Sequence, residues 1–89
     1  MKIIANPIDM IATFSSNRNR LPIPFKFRYE TRSGERSEIR VDRIISTEKR
    51  KLAGTDSIVY TCQSQINGEL HLYELKYIIG SYYWELYKI

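Results

Sequence analysis

The stretch that decides the fold runs from Leu70 to Ile89 and reads LHLYELKYIIGSYYWELYKI. It contains the only tryptophan, Trp84, and five of the seven tyrosines. Apolar residues recur at every second position before Gly80-Ser81 and again after it, which predicts two strands folded back on each other. Because aromatic side chains bury large areas, this hairpin is expected to form much of the core.

The two predicted strands differ in what their faces carry. The apolar face of the first strand is expected to hold Tyr73, Leu75, Tyr77 and Ile79. On the second strand Trp84 and Leu86 share one face, and the other face holds Tyr83, Glu85, Tyr87 and Ile89. The second strand is therefore apolar on both faces, and only one face can enter the core.

The same two-residue period continues upstream of this hairpin. Phe25, Phe27 and Tyr29 are expected on one face of a strand that begins near Pro22, while Met10 to Phe14 predicts an earlier strand after a lead-in interrupted by Pro7. Ser15 to Leu21 and Thr31 to Arg36 have the composition of turns.

A bulge predicted between Val41 and Ile44 would restore the register of the strand that begins near Ser37. Thr47 to Thr55 fits either a helical turn ending at Gly54 or a loop. Ile58 to Ile66 predicts a further strand, and Asn67-Gly68 joins it to the hairpin, because both central positions of a type I′ turn need positive φ.

These elements predict an all-β chain forming one small domain over residues 1–89. Five to six antiparallel strands are expected, arranged as a curled sheet or an SH3-like small barrel. Phe27, Tyr60, Leu75 and Trp84 are expected to converge on a common core.

Composition indicates the cellular compartment of the protein. Cys62 is the only cysteine, so no internal disulfide can form, which favours a reducing compartment. Asn6, Pro7 and Asp9 interrupt the apolar start before it reaches the length of a signal peptide, and no stretch approaches a membrane span. We therefore expect a cytoplasmic protein that does not enter a membrane.

Few residues have the chemistry of a reaction centre. His71 is the only histidine, so no zinc site of normal ligand number can be built from His and Cys. Cys62 lies on an apolar face and is read as a buried thiol. Asp42 and Glu74 could pair as acid and base, but each has basic neighbours and is read as part of a cross-strand salt bridge. We predict no catalytic residues, metal or cofactor.

Positive charge is concentrated in the middle of the chain. Between Arg18 and Lys51 there are eleven Lys and Arg residues against five Asp and Glu, a local balance of +6. A basic groove flanked by exposed tyrosines would bind single-stranded nucleic acid, whereas an ordinary solvated strand face explains the same charges. The candidate nucleic-acid-binding residues are Arg18, Arg20, Lys26, Arg28, Arg40, Lys49, Arg50 and Lys51.

The second apolar face of the last strand raises a different possibility. Tyr83, Tyr87 and Ile89 must meet a partner, meet a second copy of the chain, or stay exposed. We expect a non-enzymatic interaction or assembly module that uses these residues, with a homodimer as its simplest form. The nucleic-acid-binding module is the alternative.

Six short blocks carry a resemblance across Met10 to Ile89. They read PIPFKFRYE, IRVDRIIS, KLAG, VYTCQS, YELKY and WELYKI in this order. This layout resembles a family of small uncharacterised bacterial proteins, frequent in clostridia and related Firmicutes. The resemblance implies a small all-β protein and transfers no functional residue.

Overall fold

The computed structural model describes residues 1–30 and 33–89, which form one antiparallel sheet of seven strands. The strands are β1 (Ile3–Thr13), β2 (Ile23–Glu30), β3 (Arg36–Arg40), β4 (Arg43–Leu52), β5 (Thr55–Ile66), β6 (Glu69–Ile78) and β7 (Tyr83–Lys88), with a short 3-10 turn at Ile79–Ser81. Their order across the sheet is β3-β2-β1-β7-β6-β5-β4. The all-β, curled antiparallel architecture is confirmed, with seven strands in place of the predicted five to six.

The sheet curls because its two edge strands are consecutive in the chain. Only Val41 and Asp42 separate β3 from β4, and together these strands act as one long strand with a corner. Before the corner β3 pairs with β2, and after it β4 pairs with β5. The Val41 N–H still donates to the Phe25 carbonyl at 2.9 Å. The corner therefore brings the two edges of the sheet together.

The predicted core is confirmed. Phe27, Tyr60 and Leu75 are at most 1% exposed, and Trp84 is 7% exposed. Trp84 lies between two tyrosines, with ring centroids 5.3 Å from Tyr60 and 4.8 Å from Tyr77. Such aromatic contacts add to the stabilisation that burial of apolar area provides.

A bulge in β2 overturns the predicted position of Phe25. Ile11 pairs with Lys26 but Ala12 pairs with Pro24, so Phe25 is the extra residue. A one-residue shift exchanges the faces of a strand, so Pro24 is buried and Phe25 is 46% exposed. The prediction that Phe25 and Phe27 share the core face is therefore wrong.

Two further predictions fail for local reasons. The bulge expected between Val41 and Ile44 lies instead at Ile45, which is skipped between the pairs of Ile44 and Ser46. At the end of β6, Ile78 is buried, while Ile79 belongs to the 3-10 turn and is 38% exposed. The predicted place of Ile79 in the core is wrong, because the regular alternation ends before it.

The connections are tighter than expected. Asn67 and Gly68 have φ of 53° and 80°, as predicted for the hairpin turn. The region 47–55 is neither a helical turn nor a loop: β4 continues to Leu52 and turns at Ala53-Gly54, where φ is again positive. The turn predicted over 31–36 lies partly outside the described residues.

The first strand is longer than the sequence indicates. It begins at Ile3 rather than Met10 and passes through Pro7 without breaking. Ala5, with φ of 44°, lies in an irregularity that interrupts the pairing of β1 with β7 between Ile3 and Asn6. Pro7 is tolerated because this half of β1 has no second strand partner: β2 pairs only from Asp9 onward.

Candidate interaction surfaces

The side chains with potential chemistry are mostly held in structural roles. Cys62 is completely buried, and burial raises the pKa of its thiol to about 12. His71 lies partly exposed with Nε2 3.5 Å from a carboxylate oxygen of Glu69. Among residues 1–30 and 33–89 no group of three or more His, Cys, Asp or Glu is placed to hold a metal ion.

Asp42 and Glu74 do not form the predicted salt bridges. The Asp42 carboxylate accepts the backbone N–H of Gln65 at 2.9 Å, since it lies at the corner and not within a strand. Glu74 Oε1 is buried and has no hydrogen-bond partner within the described chain. Neither carboxylate forms an ion pair there, so the cross-strand salt-bridge prediction is wrong for both.

Ser64, which was not among the predicted site residues, holds the corner. Its hydroxyl donates to the Arg40 carbonyl at 2.7 Å and accepts the Asp42 N–H at 3.3 Å. The Tyr73 hydroxyl, 2.5 Å from Ser64 Oγ, is then the second donor to it. Ser64 and Tyr73 are both completely buried, and burial is the main cause that raises the pKa of Tyr73. A serine within an apolar strand is the only sequence signal of this network.

Two of the candidate basic residues are paired with acids on the outer face of β1, β2 and β3. Lys26 Nζ lies 2.9 Å from Glu38, and the Arg28 guanidinium lies 2.8 Å from Asp9. The hydrogen bond from Lys26, followed by its charge, lowers the pKa of Glu38. The hydrogen bond with Asp9 likewise raises the pKa of Arg28. Arg40 lies over the ring of Phe25, at 5.3 Å from its centroid.

The other five candidate basic residues lie at one end of the sheet, which we call the loop end. There β1, β4 and β6 finish and β2, β5 and β7 begin. Arg18 and Arg20 are in the β1–β2 connection, while Lys49, Arg50 and Lys51 are at the end of β4. Arg50 pairs with Glu48 at 3.2 Å. The eight residues therefore divide into two groups on different parts of the molecule.

Exposed aromatic rings lie at the loop end as well. Phe14 is 66% exposed and contacts Tyr77 edge to face, with ring centroids 6.4 Å apart. Tyr82 is 83% exposed and has φ of 56° at the end of the 3-10 turn. Neither ring was predicted to belong to a binding surface, because exposure within turns leaves no periodic pattern in the sequence.

The predicted interface residues are spread along β7. Tyr83, at the loop end, is 39% exposed, and its hydroxyl donates to Glu85 at 3.1 Å. The Tyr87 ring is partly covered by the Lys76 ammonium, 4.6 Å from its centroid. Ile89 is 36% exposed at the opposite end of the strand. Tyr83 therefore does not share a patch with Ile89.

Ile89 and Tyr87 gain apolar neighbours from β1. Lys2 and Ile89 exchange both backbone hydrogen bonds, at 2.8 and 3.1 Å. Ile3 and Ile4 are 59% and 42% exposed, and the register places Tyr87 opposite the irregularity that contains Ile4. We call Ile4, Tyr87 and Ile89 the terminal patch; Ile3 is paired with Lys88 and so faces the other side of the sheet.

The terminal patch borders an open cleft of about 630 Å³. One side is the start of β1, from Lys2 to Asn6, and the other is Tyr29 and Glu30 at the end of β2. The cleft exists because β1 and β2 separate here, after pairing from Asp9 to Thr13. An open strand edge and exposed isoleucines therefore lie side by side.

No helix among the described residues has the length and apolar character needed to cross a membrane.

Comparison with known proteins adds no family to this description. No family model, curated protein or solved structure matches the chain. The resemblance to the clostridial family stays a prediction.

Proposed function

We propose that the protein is a non-enzymatic interaction module that assembles through the terminal patch, in its simplest form as a homodimer. The observation that supports this proposal is the cleft between β1 and β2, where apolar side chains border an unpaired strand edge. The lone, buried Cys62 is compatible with a cytoplasmic setting, which we include in the proposal.

The size of the terminal patch limits the mode of assembly. A stable interface buries about 800 Å² on each partner, which three side chains do not supply. The open edge of β1 must therefore contribute backbone hydrogen bonds from Ile3 to Ile8, apart from Pro7, which has no N–H. A two-fold arrangement satisfies both requirements, because each copy offers the same edge and the same isoleucines.

Light scattering across a concentration series tests this proposal. The natural protein is expected to shift from monomer to dimer as its concentration rises, and the Ile4→Ser, Ile89→Ser double variant is expected to stay monomeric. Ile11→Ser is the matched control, because Ile11 is 61% exposed on the same strand but far from the patch. A natural protein that is monomeric at every concentration would refute the homodimer.

The loop end supports nucleic-acid binding as a second candidate function. Five of the eight candidate basic residues lie there with the exposed rings of Phe14 and Tyr82. Single strands are bound by this combination, in which cations pair with phosphates and bases stack on aromatic rings. The other cluster, around Lys26 and Arg28, is less suited because Glu38 and Asp9 neutralise it.

Fluorescence anisotropy with a labelled oligothymidine separates the two clusters. Binding by the loop end is expected to weaken steeply between about 50 mM and about 200 mM salt, because bound cations displace counterions. Arg18→Glu with Arg20→Glu is expected to remove most binding, whereas Lys26→Glu with Arg28→Glu, which changes the net charge equally, is expected to remove less. Absence of binding at the lower salt concentration would exclude this candidate.

A further inference from the structure

The outer edge of β4 is an open strand edge. β4 pairs with β5 alone, and no other described residue hydrogen-bonds to its backbone. Nine of its ten residues are exposed, and only Ile44 is partly buried. One backbone N–H and one C=O at every second residue therefore face solvent along the strand.

This edge is long and regular. The bulge at Ile45 lies near the beginning of β4, and from Ser46 to Leu52 every residue has a partner in β5 without interruption. Seven residues at about 3.3 Å each give an uninterrupted edge of about 23 Å. Edge strands of sheets are usually shortened, bulged or covered, because an open edge is a template for another strand.

The charges along β4 determine which kind of strand can pair with its open edge. Arg50 is paired with Glu48, but Arg43, Lys49 and Lys51 form no ion pair among the described residues. A second copy of β4 would bring four cations and one anion against the same set, and like charges on neighbouring strands repel. An extended segment rich in carboxylates would instead place opposite charges across the new ladder.

We propose that β4 binds an acidic, extended peptide segment as an additional strand of the sheet. Backbone hydrogen bonds to the open edge of Ser46–Leu52 would supply affinity, and Lys49 and Lys51, which share one face of β4, would select for acidic side chains. This surface is separate from the terminal patch, so a test that refutes the homodimer leaves the peptide site unaffected, and the reverse also holds.

A competing explanation is that the basic residues only protect the edge from self-association. Lysines on an edge strand do serve that purpose. The two explanations differ in what a reversal of charge does. Protection depends on the amount of charge and not on its sign, whereas selection of an acidic strand depends on the sign.

Hydrogen–deuterium exchange and anisotropy with a defined probe test the proposal. The probe is a blocked octapeptide in which glutamate alternates with valine or threonine, and one control carries lysine in place of every glutamate. The acidic probe is expected to bind and to slow exchange at amides of β4 that do not face β5. Lys49→Glu with Lys51→Glu is expected to weaken this binding about tenfold and to create binding of the lysine peptide.

Two controls make the result decisive. Lys26→Glu with Arg28→Glu changes the net charge equally but lies in the other group of basic residues, away from β4, and is expected to leave the affinity for the probe within about twofold. An acidic probe N-methylated at its central residues keeps its charge but loses its N–H donors, and is expected not to bind. The proposal is overturned if the acidic probe does not bind. It is also overturned if the N-methylated probe and an oligothymidine bind as tightly as the acidic probe, because the site would then be a general polyanion surface.

Discussion

Replacing Ser64 by alanine tests whether the corner between β3 and β4 holds the curled sheet together. The substitution removes three hydrogen bonds, which join Ser64 to Arg40, Asp42 and Tyr73. At about 0.5–1.5 kcal/mol each, and with a buried Tyr73 hydroxyl left unpartnered, the free energy of unfolding should fall by about 2–4 kcal/mol. A chain of this length is stable by only about 4–13 kcal/mol, so the change is large.

Urea unfolding followed by the fluorescence of Trp84 measures this loss, since Trp84 is the only tryptophan and is buried. Ser57→Ala is the matched control: Ser57 is also buried in β5, but it does not take part in the corner network. Tyr73→Phe in a double-mutant cycle with Ser64→Ala should reveal a coupling of about 1 kcal/mol. A loss below about 1 kcal/mol for Ser64→Ala, or an equal loss for Ser57→Ala, would refute the reasoning.

Three further predictions concern the core, a turn and the buried thiol. Leu75→Ala, at a completely buried position, should lower the free energy of unfolding by about 2–5 kcal/mol in urea titrations. Gly68→Ala should cost about 1 kcal/mol because φ is +80°, while Gly80→Ala, in open space without a positive φ, should change stability by less than about 0.5 kcal/mol. The pKa of Cys62 rises from 9.0 to about 12 on folding, because burial disfavours the charged thiolate. The stability of the fold that depends on a neutral Cys62 thiol is therefore fully present below pH 9 and is lost as the pH rises towards 12. The free energy of unfolding should therefore fall by up to about 1.4 kcal/mol per pH unit above pH 9, and the fall between pH 9 and 10 should be smaller in Cys62→Ala.

Periodicity was a reliable guide wherever the strands are regular. Phe27, Tyr60, Leu75 and Trp84 meet in the core because alternate residues of a strand point to the same side. The rule fails at Phe25, because one extra residue in β2 reverses the faces. Such a bulge depends on how Pro24 fits against Ala12 of the neighbouring strand, and no local pattern contains that information.

The candidate surfaces were predictable only in part. The sequence names basic residues but does not show that Glu38 and Asp9 neutralise Lys26 and Arg28, because those acids come from neighbouring strands. The open edge of β4 was also missed, since the Thr47 to Thr55 segment resembles a loop in composition.

What the sequence determined by itself was the class of structure: alternating apolar residues and an Asn-Gly turn demand antiparallel strands around a shared core. Which strands became edges was decided by tertiary structure alone. The pairing of β1 with β7 and the corner held by Ser64 join segments far apart in the chain, so they depend on the closure of the whole sheet. For the same reason, the cleft beside the terminal patch and the free edge of β4 exist only in the folded molecule.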